Sequence, residues 1–261
     1  MVDICSEDLP INWKQRIGKG TYGSIYQSSR SSNYVAKVAF NAEVCRTYSR
    51  EFLLHHDAFD ALSRFGGNDM LYIPFPSGMG YSSNGHCCYY EMQRLQSPFS
   101  GSDKVVQVLL GVDILDHYTI DDTGQHMGPT TLANYLGSHA SVAMQLENLA
   151  SCIAQLYAII QYGSGQTAYD IELVLCKVPA IDDRLRMAAI DFDKSEVIEQ
   201  YDNETIKKMG RALMSAHFPT VRGNEFDHLY SIAKDAYLQT AAHYQQLDTA
   251  YQVIKFYERF M

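Results

Sequence analysis

No run in the sequence approaches about 18 consecutive apolar residues, so nothing in it predicts a membrane-spanning helix. Basic residues are scarce: 21 Lys and Arg stand against 30 Asp and Glu, a formal net charge of -9. Neutralising a nucleic-acid backbone needs an excess of Lys and Arg, which excludes nucleic-acid binding as the main function. The six cysteines, Cys5, Cys45, Cys87, Cys88, Cys152 and Cys176, form no C-x-x-C pair and no Cys/His spacing suited to zinc. They read as reduced, buried or partly buried thiols of a cytosolic protein, without a disulfide framework. Cys87 and Cys88, adjacent in an apolar run, are expected on opposite faces of a strand. The opening Met1-Val2-Asp3-Ile4-Cys5-Ser6-Glu7-Asp8 lacks the basic start and apolar stretch of a signal peptide, which predicts a cytoplasmic protein. Delivery as an effector by a specialised apparatus would leave the same opening. There is no low-complexity tract and no internal repeat.

What is present is 261 residues, 46% apolar and 20% charged, enough for one large domain or two lobes. Ile17 to Tyr26 and Tyr34 to Phe40 are β-rich, separated by the polar turn Ser28-Ser29-Arg30-Ser31-Ser32-Asn33. The pattern predicts a helix over 42–65, stopped by Gly66-Gly67. Strands follow at Leu71 to Pro74, continuing irregularly to Tyr81, and at His86 to Leu95, around the Asn84-Gly85 hairpin signal. The polar connection from Gln96 to Lys104 divides the chain into 1–95 and 96–261. After the apolar segment Val105 to Leu110 the chain reads as mainly helical. A short helix is expected over 130–136. Val142, Leu146, Leu149, Ile153, Leu156 and Ile160 recur every three to four residues, the buried face of a long helix. Ile171 to Leu175 and Met187 to Ile190 read as short buried strands, and three amphipathic helices follow from about Glu204.

Four places carry chemistry. Gly18-Lys19-Gly20-Thr21-Tyr22-Gly23 lets a strand pair turn tightly while backbone N–H groups approach a phosphate without Cβ obstruction. A β-rich segment follows it, so a dinucleotide-binding turn, which requires a helix there, is excluded. Lys37, in Val35-Ala36-Lys37-Val38, puts an ammonium into an apolar strand, where it needs partners. Coupled to the glycine loop, a phosphate-pairing role is favoured over a lysine that merely reaches the surface. Glu51 on the following helix is the first candidate to hold Lys37, with Glu43 second. Finally, Asp170 and Glu172 in Ala168-Tyr169-Asp170-Ile171-Glu172, and Asp191 in Ile190-Asp191-Phe192-Asp193, place carboxylates beside two apolar strands. Such carboxylates can bind Mg²⁺ and orient a hydroxyl nucleophile.

Over about residues 13–195 these motifs resemble the protein-kinase-like superfamily. The glycine loop resembles the family's ATP-covering loop, and Val35-Ala36-Lys37-Val38 its strand-three lysine motif. Tyr90-Glu91-Met92 falls at the hinge that meets adenine through main-chain groups, Ala168-Tyr169-Asp170 at His-Arg-Asp, and Ile190-Asp191-Phe192-Asp193 at Asp-Phe-Gly. Val106 to Gly111, Leu132 to Leu136 and the two aspartate segments are also similar to an uncharacterised, mainly fungal kinase-like domain family. The length is that of the minimal kinases found among bacterial effectors. The resemblance implies an α+β bilobal fold: a small antiparallel-sheet N-lobe with one helix, and a reduced, mainly helical C-lobe. It implies ATP and Mg²⁺ as cofactors and a hydroxyl acceptor, on a protein Ser, Thr or Tyr or on a small molecule, with a protein Ser or Thr favoured. Gly18, Lys19, Gly20, Thr21, Tyr22 and Gly23 would cover the phosphates, and Lys37 would pair with the α/β oxygens. Glu51 would orient Lys37, Glu91 and Met92 would meet adenine, Asp191 and Glu172 would hold the metal, and Asp170 would accept the acceptor proton.

The departures are definite. Leu175 stands where the family has its second metal-binding Asn, and Asp193 where it has glycine. Tyr169 replaces the arginine through which a phosphorylated loop acts, and no Ala-Pro-Glu follows. Two rival readings therefore stand beside the kinase: a pseudokinase acting through nucleotide or partner binding, and transfer of a nucleotide part on the same fold.

Overall fold

The computed structural model describes residues 16–19, 22–28, 31–39, 41–82, 87–99, 105–111, 119–120, 125–138, 145–223 and 225–261. The opening segment with Cys5, Gly20 and Thr21 of the glycine loop, Phe40 and the hairpin tip 83–86 lie outside the described residues.

The first part contains β1 (Arg16–Lys19), β2 (Gly23–Gln27), β3 (Tyr34–Ala39), α1 (Ala42–Phe65), β4 (Leu71–Tyr72), β5 (Pro76–Tyr81) and β6 (Cys88–Gln93). Five of these strands form an antiparallel sheet in the order β1-β2-β3-β6-β5. Its period-2 alternation sorts Ala36, Val38, Cys87 and Tyr89 onto one face. Ala39, Cys88 and Tyr90 face the other way, against Cys45 and Tyr48 of α1. Cys87 and Cys88 thus point apart, as expected.

α1 begins where Asn41 Oδ1 accepts the Val44 N–H at 3.1 Å, satisfying one orphan donor of the first turn. It ends where Gly66 takes φ 67° and returns its N–H to the Leu62 carbonyl at 3.2 Å. Only glycine enters that backbone region without strain.

The remainder contributes β7 (Val106–Val108), β8 (Thr119–Ile120), β9 (Gln125–Met127), α2 (Pro129–Ser138), α3 (Leu146–Ala158), β10 (Glu172–Val178), β11 (Asp182–Ile190), α4 (Asn203–Leu213), α5 (His228–His243) and α6 (Leu247–Tyr257). α3 continues into a π-helical turn, Ile159–Gly163. Leu149, Ile153, Leu156 and Ile160 are fully buried, and α3 packs against α5. Each such side chain contributes about 1.5–3 kcal/mol over its exposed state. β10 and β11 form the expected hairpin, and it belongs to a second sheet ordered β4-β11-β10-β7-β9-β8. The short strand β4 pairs in parallel with Met187 and Ala188 of β11, so a piece of the first part is built into the sheet of the second. The mixed α+β architecture, an antiparallel sheet with one helix followed by a mainly helical portion, is the one the sequence predicts.

One expectation is overturned. Cys45 and Cys88 form a disulfide rather than standing as reduced thiols. The buried face of α1 sets Cys45 opposite Cys88 on the inner face of β6, a Cα–Cα separation of 5.7 Å that suits the bridge. Cys152 and Cys176 are free and buried. Reducing the Cys45–Cys88 bond is expected to lower unfolding stability by about 2–4 kcal/mol, read from urea midpoints with and without reductant. Peptide mapping under non-reducing conditions should recover Cys45 joined to Cys88; identical midpoints and no joined peptide would refute the pairing.

Candidate active site

The strand period turns Lys37 toward α1, onto the face shared with Ala39. On α1 the buried positions Cys45, Tyr48, Glu51, Leu54, His55 and Ala58 recur every three to four residues, so one polar residue, Glu51, sits in an otherwise apolar stripe. Lys37 Nζ donates to Glu51 Oε1 at 2.7 Å and to Asp191 Oδ1 at 2.7 Å. Glu51 is fully buried and Lys37 is 12% exposed. Glu43, the second candidate, lies exposed in the first turn of α1, more than two helical turns away. Tyr90, directly across from Lys37 in the β3/β6 register, donates its hydroxyl to Glu51 Oε1 at 2.7 Å. Lys37 Nζ also lies 5.2 Å from the centroid of the Tyr48 ring, a cation–π contact.

Glu51 Oε2 has no hydrogen-bond partner among the described residues. Burial pushes the Glu51 carboxyl up to about 7 despite the pull of Lys37. Burial also works against the Lys37 charge, but Tyr90, Glu51 and Asp191 outweigh it and hold the ammonium well above the usual lysine range. One buried positive charge is thus shared by two carboxylates.

Asp170 and Asp191 sit at the two ends of one hairpin. Asp170 lies two residues before β10, and Asp191 directly follows β11, whose Ile190 pairs with Glu172. Both take the left-handed backbone, φ 58° and 62°, as does Ala168 at φ 57°. Non-glycine residues there are uncommon and persist where surroundings over-determine them. Those surroundings are visible. Ser195 Oγ accepts the Ala168 N–H at 3.1 Å, and the Thr167 N–H donates to the Glu196 carbonyl at 2.8 Å. Thr167 Oγ1 accepts the Glu196 N–H at 3.0 Å. Helix α1 joins the same stitching: Arg50 donates to the Ser195 carbonyl, the Gln166 amide donates to the Leu54 carbonyl at 2.7 Å, and His55 stacks on Phe192 at 5.0 Å. Asp170 Oδ2 accepts from Lys194 Nζ in an ion pair whose side chains are about half exposed. Leu175 is fully buried in the main apolar core and offers a metal nothing.

Gly18, Lys19, Tyr22 and Gly23 lie in the β1/β2 hairpin, with Gly18 opposite Ile25 and Lys19 opposite Ser24. Gly20 and Thr21 fall outside the described residues. The glycines differ in what they do. A Cβ on Gly23 would stand 2.0 Å from the Tyr48 hydroxyl and 2.2 Å from the Val38 carbonyl oxygen, so glycine is needed there for packing. A Cβ on Gly18 would meet only Ile25 at an ordinary 3.6 Å.

The adenine-binding assignment of Glu91 and Met92 requires correction. β6 is an interior strand: Glu91 pairs with Ala36 on one side and Gly78 on the other, and Met92 with Val35 and Pro76. A strand flanked on both edges has its main-chain groups directed into the two ladders rather than toward a ligand. The Glu91 side chain is likewise committed, accepting the Ser28 hydroxyl at 2.9 Å.

Glu172 lies across the strand pair from Ile190, the residue before Asp191. Burial first, and then the neighbouring Asp191 charge, push the Glu172 carboxyl up to about 7, against a hydrogen bond from Gln107. A carboxyl group whose ionisation is disfavoured by burial and by a neighbouring carboxylate suits a cation between the two. Among the described residues no group of three or more His, Cys, Asp or Glu is placed to cage a metal ion. One or two carboxylates plus phosphate oxygens and water is how Mg²⁺ is ordinarily held, so the residues fit.

Sequence reasoning missed Tyr90, Arg50, Gln107, Ser195 and Lys194. Tyr90 was within its reach, because a residue two before Met92 shares that residue's strand face. The others act through contacts 24 to 145 positions apart, which no local pattern encodes.

No family model and no curated protein matches the chain. Among solved structures, WaaP in complex with acyl carrier protein is similar at 12% identity and TM-score 0.46, covering 94% of this chain and 90% of that one. The GDP and kanamycin complex of APH(2")-IIIa is similar at 13% identity and TM-score 0.29, over 99% and 96%. The GDP complex of wild-type aminoglycoside 2'-phosphotransferase-IIIa follows at 11% and 0.30, over 97% and 93%. At TM-scores below 0.5 these likenesses carry no argument about fold or activity.

Two outcomes are expected. Gly23→Ala should destabilise by about 1–3 kcal/mol through overpacking against Tyr48 and Val38; an unchanged thermal midpoint would show that the close approach is absent. Glu172 binds its proton more tightly folded than unfolded, so its contribution is complete below its ordinary value of 4.5 and is lost as pH rises through about 7. Between pH 5 and 8 the wild type should therefore lose about 1–2 kcal/mol more stability than Glu172→Gln, measured by urea titration. Parallel curves for the two proteins would contradict the shift.

Proposed function

We propose that the chain transfers the γ-phosphoryl group of ATP to a hydroxyl, as a compact phosphotransferase of protein-kinase-like design. The observation that carries this reading is the double anchoring of Lys37, 2.7 Å from Glu51 and 2.7 Å from Asp191. Stability does not require such an arrangement, since well-packed apolar groups do as well as a buried ion pair. In this reading residues 1–95 cover the nucleotide and 96–261 supply the loops that act on it.

The backbone N–H groups of Gly18 to Gly23 hold the phosphates, and Lys37 turns its ammonium to the α/β oxygens. Glu51, steadied by Tyr90, keeps Lys37 in place. Asp191 and Glu172 hold Mg²⁺, which when bound offsets the charge of the phosphates. Asp170 orients the acceptor hydroxyl and accepts its proton. Phosphoryl transfer depends on positioning and charge neutralisation, so Leu175 in place of a second metal-binding Asn slows it without abolishing it. The acceptor is taken to be a protein Ser or Thr, on the resemblance to protein kinases alone. The burial of Leu175 in the apolar core is the observation that favours the second reading, a pseudokinase.

The test is incubation with Mg²⁺ and ATP labelled at either the γ or the α phosphate, with Asp191→Ala as control. γ label reaching protein, and at least about 10³-fold less in the variant, is the expected result. α label instead would mean nucleotide transfer. Tight nucleotide binding with no label dependent on Asp191 would establish the pseudokinase.

A further inference from the structure

We infer that Lys194 is a further catalytic residue, whose ammonium contacts the γ-phosphoryl group during transfer while remaining beside Asp170. The inference rests on the phosphotransferase reading above and names a residue outside its motifs.

The site holds four carboxylates, Asp170, Glu172, Asp191 and Asp193, which act on one another electrostatically. Lys37 is engaged by Glu51 and Asp191. Near Asp170 the ion-paired cation is Lys194, whose Nζ donates to Asp170 Oδ2. Tyr22 of the glycine hairpin also acts electrostatically on Lys194, as does Asp193. Lys194 therefore sets its ammonium against Asp170 and within electrostatic reach of Tyr22 on the β1/β2 hairpin. Its flexible four-carbon stem, half exposed, can follow a phosphate oxygen without leaving Asp170.

The transfer balances as follows. The acceptor oxygen forms a bond to the γ phosphorus as the bond from that phosphorus to the β–γ bridging oxygen breaks. The bridging oxygen keeps the electron pair and departs with ADP, and the acceptor's proton passes to Asp170. Negative charge gathers on the γ-phosphoryl oxygens next to an already anionic carboxylate, and the Lys194 ammonium offsets both. A purely structural role would be small, because an exposed ion pair contributes little to stability.

The experiment compares full-length wild type, Lys194→Ala and Lys194→Arg. Calorimetric titration with Mg·ATP and Mg·ADP, urea midpoints and single-turnover transfer of γ label are measured for each. Lys194→Ala should bind Mg·ATP about tenfold more weakly while Mg·ADP affinity stays within about twofold, one charge-assisted contact being lost. Its transfer rate should fall about 100-fold with an unchanged urea midpoint, and Lys194→Arg should recover most of both losses. Equal weakening toward both nucleotides, or a lowered midpoint, would assign Lys194 a structural role and overturn the inference. Unchanged affinities and rate in Lys194→Ala, with wild-type transfer still dependent on Asp191, would overturn it and leave the phosphotransferase standing. A wild type that binds neither nucleotide would overturn both.

Discussion

A buried ammonium is the constraint on which the rest depends. Lys37 sits on an interior strand facing an apolar helix, where an unpaired charge is prohibitively costly. Its two carboxylates come from elements 14 and 154 residues away, so meeting that constraint fixes α1 against the sheet and the end of β11 against both. Tyr90 completes the arrangement by occupying Glu51 Oε1 from the strand side. The pair contributes little net stability once desolvation is counted, but removing either partner leaves an uncompensated charge in a dry environment. Geometry, more than energy, is what this contact supplies.

The second constraint is the strained hairpin end. Ala168, Asp170 and Asp191 all take a left-handed backbone within a few residues of one another in space. Alanine has no side-chain group to bond locally in that region, so Ser195 Oγ and the short ladder between Thr167 and Glu196 hold it there. Asp170 is presented to solvent, while its neighbours Ala168 and Ile171 are buried. At Asp170 the strained backbone aims an accessible side chain.

Much of this was legible in residue order. α1 spans 42–65 as predicted because its start and stop are local chemistry, the Asn41 cap and the Gly66 turn. The Lys37, Glu51, Asp170 and Asp191 candidates were legible because each is a polar residue in an apolar period. What was not legible is mostly long-range. Strands β8 and β9, two and three residues long, carry no measurable alternation. The parallel pairing of β4 with β11 joins positions 116 apart, 71 to 187. Period-2 patterning also cannot tell an interior strand from an edge strand, so the ladders on both sides of Glu91 and Met92 were not legible. The Cys45–Cys88 bond escaped because composition argues about compartment, while proximity is decided by helix register.

Helix α1 has a mechanical consequence. It is joined to the five-stranded sheet by the Cys45–Cys88 bond and the Tyr90 hydroxyl. It is joined to the segments around Asp170 and Asp191 by Arg50, the Leu54 carbonyl and the His55 ring. From Cys45 to His55 the helix is thus held on two sides, which opposes an outward swing that would break its own ion pair. With the disulfide intact, tilting that helix away from the sheet would have to break contacts on both of these sides at once.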